Sequence, residues 1–250
     1  MRAIECIGSN DEGAYSMFRK DYLLRMMEEM TEAIGKVFTL KQQRKHTEAL
    51  SELDELMRRQ FGLNLSLLNS LPAEDVIEMF RFRGMIEVDN LQQAARLIEE
   101  EAYIYQEKAK VEGIDDQERM DAEDEAVIRL MRSLHFYLYA LNHGANPKLL
   151  DAPERVEGVL GLTKEYELPA RTERQLALYR EQQGHYDQAE NSWYRLLQLG
   201  AEFPVSYRDD VQAFYERLSP LTDEQLEQGG LPRNEVEEGL AELSRQEMNS

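Results

Sequence analysis

Residues 176–204 read LALYREQQGHYDQAENSWYRLLQLGAEFP, and two helix-forming runs in this stretch flank Gly184. Leu176 and Ala177 precede the glycine, and Ala189, Trp193 and Leu196 follow it. Spacing of four and then three residues puts the last three on one helical stripe. Glycine tolerates the left-handed backbone that ends a helix, so Gly184 is placed to make the turn. A small residue at Ala189 lets the second helix approach the first closely, while the ring of Trp193 fills the space beside them. The stretch predicts a tight antiparallel helical hairpin.

The same period recurs along the chain. Met17, Tyr22, Leu23, Met26, Met30, Ala33, Ile34, Val37 and Phe38 predict a helix starting at Met17. Ala49, Leu50, Leu53, Leu56 and Met57 predict a second helix antiparallel to it, after the polar run from Lys36 to Lys45. Residues 63–69 read as a connector, and Pro72 with Glu74 and Asp75 opens another helix at its first turn. Apolar stripes from Leu91 to Tyr105 and from Ala126 to Leu141 predict two long helices over 91–110 and 122–142, paired as a hairpin across an acidic loop at 111–121. Gly144 and Pro147 stop the second of these. Short helices are expected near 152–165, 171–183, 187–199, 207–218 and 222–228, and Asn234 with Glu237 reads as a capping box for a last one. Residues 1–16 carry no period and read as a disordered leader. The expected organisation is a leader (1–16), a helical-hairpin domain (17–204) and an acidic helical extension (205–250).

Gly184, Tyr186, Ala189, Trp193 and Leu196 resemble the pattern of a tetratricopeptide repeat, and Leu176 and Ala177 stand where its first helix has a Leu and a small residue. Degenerate copies run from Lys45 through Ala49 to Leu56 and from Glu125 through Ala126 to Ser133, both without the glycine. More widely, MFRKDYLLRMMEEM, LKQQRKHTEALSELDELMRRQFGLN and ELPARTERQLALYREQQGHYDQAENSWYRLL resemble an uncharacterised bacterial family, a domain of unknown function with a tetratricopeptide-like helical fold. The resemblance implies an all-α fold, an irregular right-handed stack of helical hairpins forming a TPR-like superhelix, with its usual start at Met17. It brings no activity and no catalytic residue.

Composition narrows the function classes. The net charge is −20 and the mean hydropathy −0.62, which favours a soluble chain and opposes general attraction to nucleic acid or anionic membrane. No apolar run approaches the ~18 residues that span a bilayer. The single Cys6 excludes an internal disulfide, and no signal-peptide pattern is present, so a cytoplasmic location is expected. His46, His135, His143 and His185 lack the H-E-x-x-H or E-x-x-H spacing of metal sites, and no phosphate-binding glycine loop or G-x-S-x-G occurs. No metal, cofactor or enzyme is expected. Glu99–Glu101 and the acids after them, 12 against Lys108, Lys110 and Arg119 over residues 97–126, read as a solvated charge run.

The function expected is therefore non-enzymatic: a scaffold or adaptor that binds a peptide or partner protein in a helical groove, by analogy with hairpin solenoids. Tyr179, Arg180, Gln183 and Tyr186 are the candidate partner-binding residues, with Tyr194 beside them. Aromatic and Arg side chains are the types that most often anchor an interface. The alternative is a regulator or sensor binding a small ligand or nucleic acid through Lys41, Arg44, Lys45, Arg58, Arg59, Arg81 and Arg83. The hairpin is directly testable by thermal and denaturant unfolding. Ala189→Leu overpacks it at a cost of ~1–3 kcal/mol, and Trp193→Ala leaves a cavity costing ~3–5 kcal/mol. Two neutral substitutions would remove the hairpin assignment.

Overall fold

The computed structural model describes residues 9–199 and 207–248, and these form twelve α-helices and one two-stranded ribbon. The chain divides into two compact units, one of residues 1–71 and 97–129, the other of residues 72–96 and 130–250. Among the described residues no helix is long and apolar enough to cross a membrane.

In the first unit, α1 (Ser9–Gln42) and α2 (His46–Phe61) form the expected antiparallel hairpin. Gln60 Nε2 donates to the Met26 carbonyl at 2.9 Å, Arg59 reaches Glu29, and Lys36 pairs with Glu52. Links that pair early α1 with late α2 require opposite directions. Met26, Met30, Ala33 and Val37 of α1 bury against this side with Ala49, Leu53, Leu56 and Met57 of α2, whereas Phe38 lies off the stripe and is exposed. Gly62 ends α2 at φ +69°, donating its N–H to the Arg58 carbonyl. The expected connector contains a further helix, α3 (Leu65–Ser70), capped by Asn64 Oδ1, which accepts from the Leu67 N–H at 2.7 Å.

The second unit opens with α4 (Ala73–Met79), which Pro72 precedes as the N-cap instead of filling its first turn. A ribbon of β1 (Arg81–Phe82) and β2 (Met85–Ile86) follows, with Arg83 and Gly84 both at positive φ in the turn, as a two-residue hairpin requires. Long helices α5 (Val88–Ala109) and α6 (Asp116–Asn142) run antiparallel: Lys108 pairs with Glu118 within the first unit, and the Asn146 N–H reaches Asp89 within the second. The expected acidic loop is shorter than 111–121, because α6 starts at Asp116. Asp116 and Glu118 suit its N-terminal dipole although they carry no apolar stripe.

After a 3-10 turn at Leu149–Asp151 come α7 (Ala152–Thr163), α8 (Ala170–Gln182), α9 (Tyr186–Leu199), α10 (Arg208–Leu218), α11 (Asp223–Gln228) and α12 (Arg233–Met248). The α8–α9 hairpin is as the spacing requires. Gly184 turns at φ +76°, the His185 N–H closes on the Arg180 carbonyl at 2.9 Å, and Ala177, Ala189, Trp193 and Leu196 are buried. Those side chains share one core with Val211, Phe214, Tyr215 and Leu218 of α10, Leu226 of α11, and Val236 and Leu243 of α12. Residues 207–248 thus lie in the same unit as the hairpin.

Two further expectations change. Among residues 9–16, within the expected leader, the chain is already helical as the start of α1; residues 1–8 lie outside the described residues. The capping box belongs to Thr222 and Gln225 at the start of α11, whereas Asn234 sits inside α12.

Two helical glycines separate packing from propensity. A methyl group on Gly158 in α7 meets nothing within 4 Å, but one on Gly239 in α12 overlaps the ring of Tyr215. Gly158→Ala should raise stability by about 0.5–1 kcal/mol. Gly239→Ala should lower it by about 1–3 kcal/mol, because the overlap outweighs the same propensity gain. Thermal melts of the two variants, moving in opposite directions, check the packing of α12 on α10.

Candidate functional site

The second unit contains an open groove of about 560 Å³ between α7, α8 and α9, inside the size range of ligand and peptide-anchor pockets. Leu160 and Thr163 from the end of α7, Lys164, Tyr166, Glu167 and Leu168 from the α7–α8 connection, Glu173 and Leu176 from α8, and Arg195 and Gln198 from α9 line it. By exposed area the lining is mainly apolar, and its charged side chains are two cations, Lys164 and Arg195, and two carboxylates, Glu167 and Glu173.

Local structure explains the placement of each group. Pro169 precedes α8 and its carbonyl takes the N–H groups of Thr172 and Glu173, so the buried Glu173 carboxylate stands at the helix N-terminus, where negative charge is favoured. Arg195, one turn beyond the buried Ser192, donates to Glu173 Oε1 from Nε at 2.8 Å and to Ser192 Oγ from Nη2 at 2.9 Å. These bonds anchor one edge of a guanidinium whose side chain is still 54% exposed. Thr163 ends α7 by donating its hydroxyl to the Val159 carbonyl, and Lys164, Tyr166 and Glu167 then leave the helix on the solvent side. The result is an apolar trough with an oriented cation on one wall.

The candidate residues read from the sequence lie on the same helical pair but are used differently. Tyr179 is buried, and its hydroxyl is pushed above the ordinary tyrosine range by that burial. Arg180 is held by Glu157 of α7 through two bonds, 2.6 and 2.8 Å, and lies 5.9 Å from the Tyr179 ring. Tyr186 packs partly buried against Gly229, with the adjacent Asp187 N–H bonded to the Gly229 carbonyl at 3.1 Å. Gln183 is exposed at the C-cap of α8. These four do not form one accessible face: the first two join α8 to α7, and Tyr186 joins α9 to the turn after α11. Glu173, Leu176 and Arg180 share a stripe of α8, so the groove occupies the helix the sequence indicated, one to two turns earlier. Lys164, Tyr166 and Arg195 carried no periodic signal, and only their residue types marked them.

Among the described residues no group of three or more His, Cys, Asp and Glu side chains is placed to hold a metal ion, and Cys6 lies outside them. Glu99, Glu100 and Glu101 are buried and not solvated: Glu99 accepts from Tyr103 Oη at 2.6 Å, Glu100 faces Lys41 Nζ at 3.2 Å, and Glu101 faces Arg129 Nε at 2.7 Å. His135 is buried on α6 with Nδ1 3.2 Å from Thr172 Oγ1 of α8. Burial drives its pKa down from 6.5 to about 4; Glu74 opposes the shift, and Arg132 and Arg171 add to it. It is a neutral packing residue near pH 7.

The model of a family described as "Family of unknown function (DUF6483)" matches residues 17–248, and the chain belongs to that family. No curated protein and no solved structure matches the chain.

The depressed pKa of His135 fixes a sign for the pH dependence. Unfolding restores the ordinary value near 6.5, so between about pH 6.5 and pH 4 the unfolded chain takes up a proton that the folded chain refuses. Stability from the neutral ring is complete above pH 6.5 and is lost as the pH falls towards 4, a difference of about 3 kcal/mol. Denaturant unfolding of wild type against His135→Gln across that range should show the gap between them changing with pH. A constant gap would mean that the ring is not desolvated.

Proposed function

We propose that the chain is a non-enzymatic protein-interaction module, and that the groove of α7, α8 and α9 receives a short peptide segment of a partner protein. The observation that carries this reading is the apolar trough of Leu160, Leu168 and Leu176 beside an oriented, half-exposed Arg195. Burying an apolar anchor drives association, and a guanidinium pre-set by Glu173 and Ser192 can take a carboxylate of the partner without ordering itself first. The segment that fits is a leucine- or phenylalanine-type anchor next to an acidic residue. We read the α8–α9 hairpin as a tetratricopeptide-like unit in an irregular right-handed stack, and the location as cytoplasmic.

The second reading, a ligand- or nucleic-acid-binding basic surface, has less support. Lys41, Lys45, Arg58, Arg59 and Arg81 each have a carboxylate within 4 Å, which lowers the field they present to a polyanion.

Lys164 and Tyr166 are both exposed, so Lys164→Glu with Tyr166→Asp should leave circular dichroism and melting near wild type. Immobilised wild-type chain should capture a defined partner from a lysate of its native host, and the double variant should lose it at least about tenfold. Capture undiminished by the double variant removes the groove. Loss of capture on reversing Arg44, Arg58 and Arg59 instead transfers the function to the basic surface.

A further inference from the structure

The unit of residues 1–71 and 97–129 holds a second cleft, of about 520 Å³, between α2, α3, α5 and α6. Leu50, Leu65 and Ile128 give it apolar walls, and Arg129, only 8% exposed, lies against Tyr105 with its guanidinium 4.4 Å from the ring centroid. Arg129 already faces two carboxylates. Its Nε is 2.7 Å from Glu101 Oε1, an ion pair out of line for a hydrogen bond, and its Nη1 donates to the Glu125 carboxylate and, at 3.1 Å, to the Glu125 carbonyl. Asp54 is also satisfied, accepting from the Leu65 N–H at 2.8 Å and pairing with Arg58 at 2.7 Å.

Two carboxylates on one guanidinium leave the cleft one negative charge in excess. A second observation points the same way. Asn69 Nδ2 donates to Glu101 Oε2 at 2.8 Å, which fixes the amide orientation and leaves Asn69 Oδ1 as a buried acceptor without a donor. A buried acceptor left unpaired is costly, and a donor brought near it is favoured. At the mouth, the Glu125 side chain is 44% exposed beside the exposed Ile128, so charge and apolar surface meet where a ligand would enter.

We propose that this cleft binds a primary ammonium group carried on an apolar stem, a second binding site independent of the groove of α7–α9. The ammonium seats against Glu125 on the Asn69 side, and the stem lies along Leu50, Leu65 and Ile128. An anion would face Glu101 and Glu125, and a neutral alcohol would leave the excess charge unmatched. The same chemistry comes from a free aliphatic amine or from the lysine side chain of a peptide.

The test is calorimetric titration of the full chain at pH 7 and fixed salt with four probes: n-hexylamine, 1-hexanol, hexanoate and an acetylated, amidated Ala-Lys-Ala peptide. Hexylamine or the lysine peptide should bind at least about tenfold more tightly than hexanol, with hexanoate weakest. The stronger of the two amines identifies the source. Glu125→Gln should weaken amine binding about tenfold, while Glu123→Gln, the same change of charge at an exposed neighbour on α6, should not, with melting curves confirming that both variants fold. The proposal is overturned if hexanol or hexanoate matches the amines, if no amine binds, or if the two variants weaken binding equally, which would show only diffuse attraction to an acidic protein.

Discussion

A stretch of helix buried all round has no solvent face on which to place its charges, and the middle of α5 is such a stretch. Every residue from Leu91 to Ala102 is buried, and six of these twelve are Gln92, Gln93, Arg96, Glu99, Glu100 and Glu101. An unpaired charge in that position costs several kcal/mol, so each carboxylate must meet a donor. Tyr103, Lys41, Asn69 and Arg129 meet them, and Gln92 Nε2 reaches the carbonyls of Asn146 and Leu149. Hydrophobic burial alone is tolerant of small rotations, because apolar contacts have no direction. Carboxylates with fixed partners on different elements are not tolerant. The polar residues of α5 thereby set its rotation within each unit, and they leave Arg129 and Glu125 at the edge of a cleft.

The parts of the fold legible in the sequence are those where one local rule has no competitor. Gly184, Ala189 and Trp193 specify the α8–α9 hairpin because a left-handed turn, a close approach and a large filler are each met by one residue type. Elements without an apolar period were missed. The six residues of α3 are too short to show one, and only the Asn64 cap announces them. Arg81–Ile86 carries no alternation, because both strands lie largely in solvent, and Arg83–Gly84 is a weaker turn signal than Asn-Gly. The first turns of α6 are held by charge at a helix N-terminus, which a hydrophobic pattern cannot register.

The candidate site was legible in residue type and helix but not in face. Tyr179 and Arg180 have the chemistry of an interface, and the fold spends that chemistry internally, since Glu157 lies 23 residues away and no period links the two. Glu99–Glu101 misled for the same reason: a run of acids implies solvent until its long-range cations are known. Arg195 is oriented towards the groove only through Glu173, a partner one helix back that sequence spacing does not reveal.

The chain has one tryptophan, and Trp193 is 1% exposed in the core that α8 and α9 share with α10–α12, its ring centroid 6.4 Å from that of Phe214. Indole emission is therefore an intrinsic reporter that belongs to the unit of residues 72–96 and 130–250 alone. Residues 1–71 and 97–129 are spectroscopically dark by this probe while contributing α1, α2, α3 and parts of α5 and α6 to the far-ultraviolet signal. Emission and ellipticity followed side by side thus divide the two units without a label: coincident transitions mean that they melt as one cooperative body, and separated transitions assign the step without an emission change to the hairpin of α1 and α2 and its neighbours.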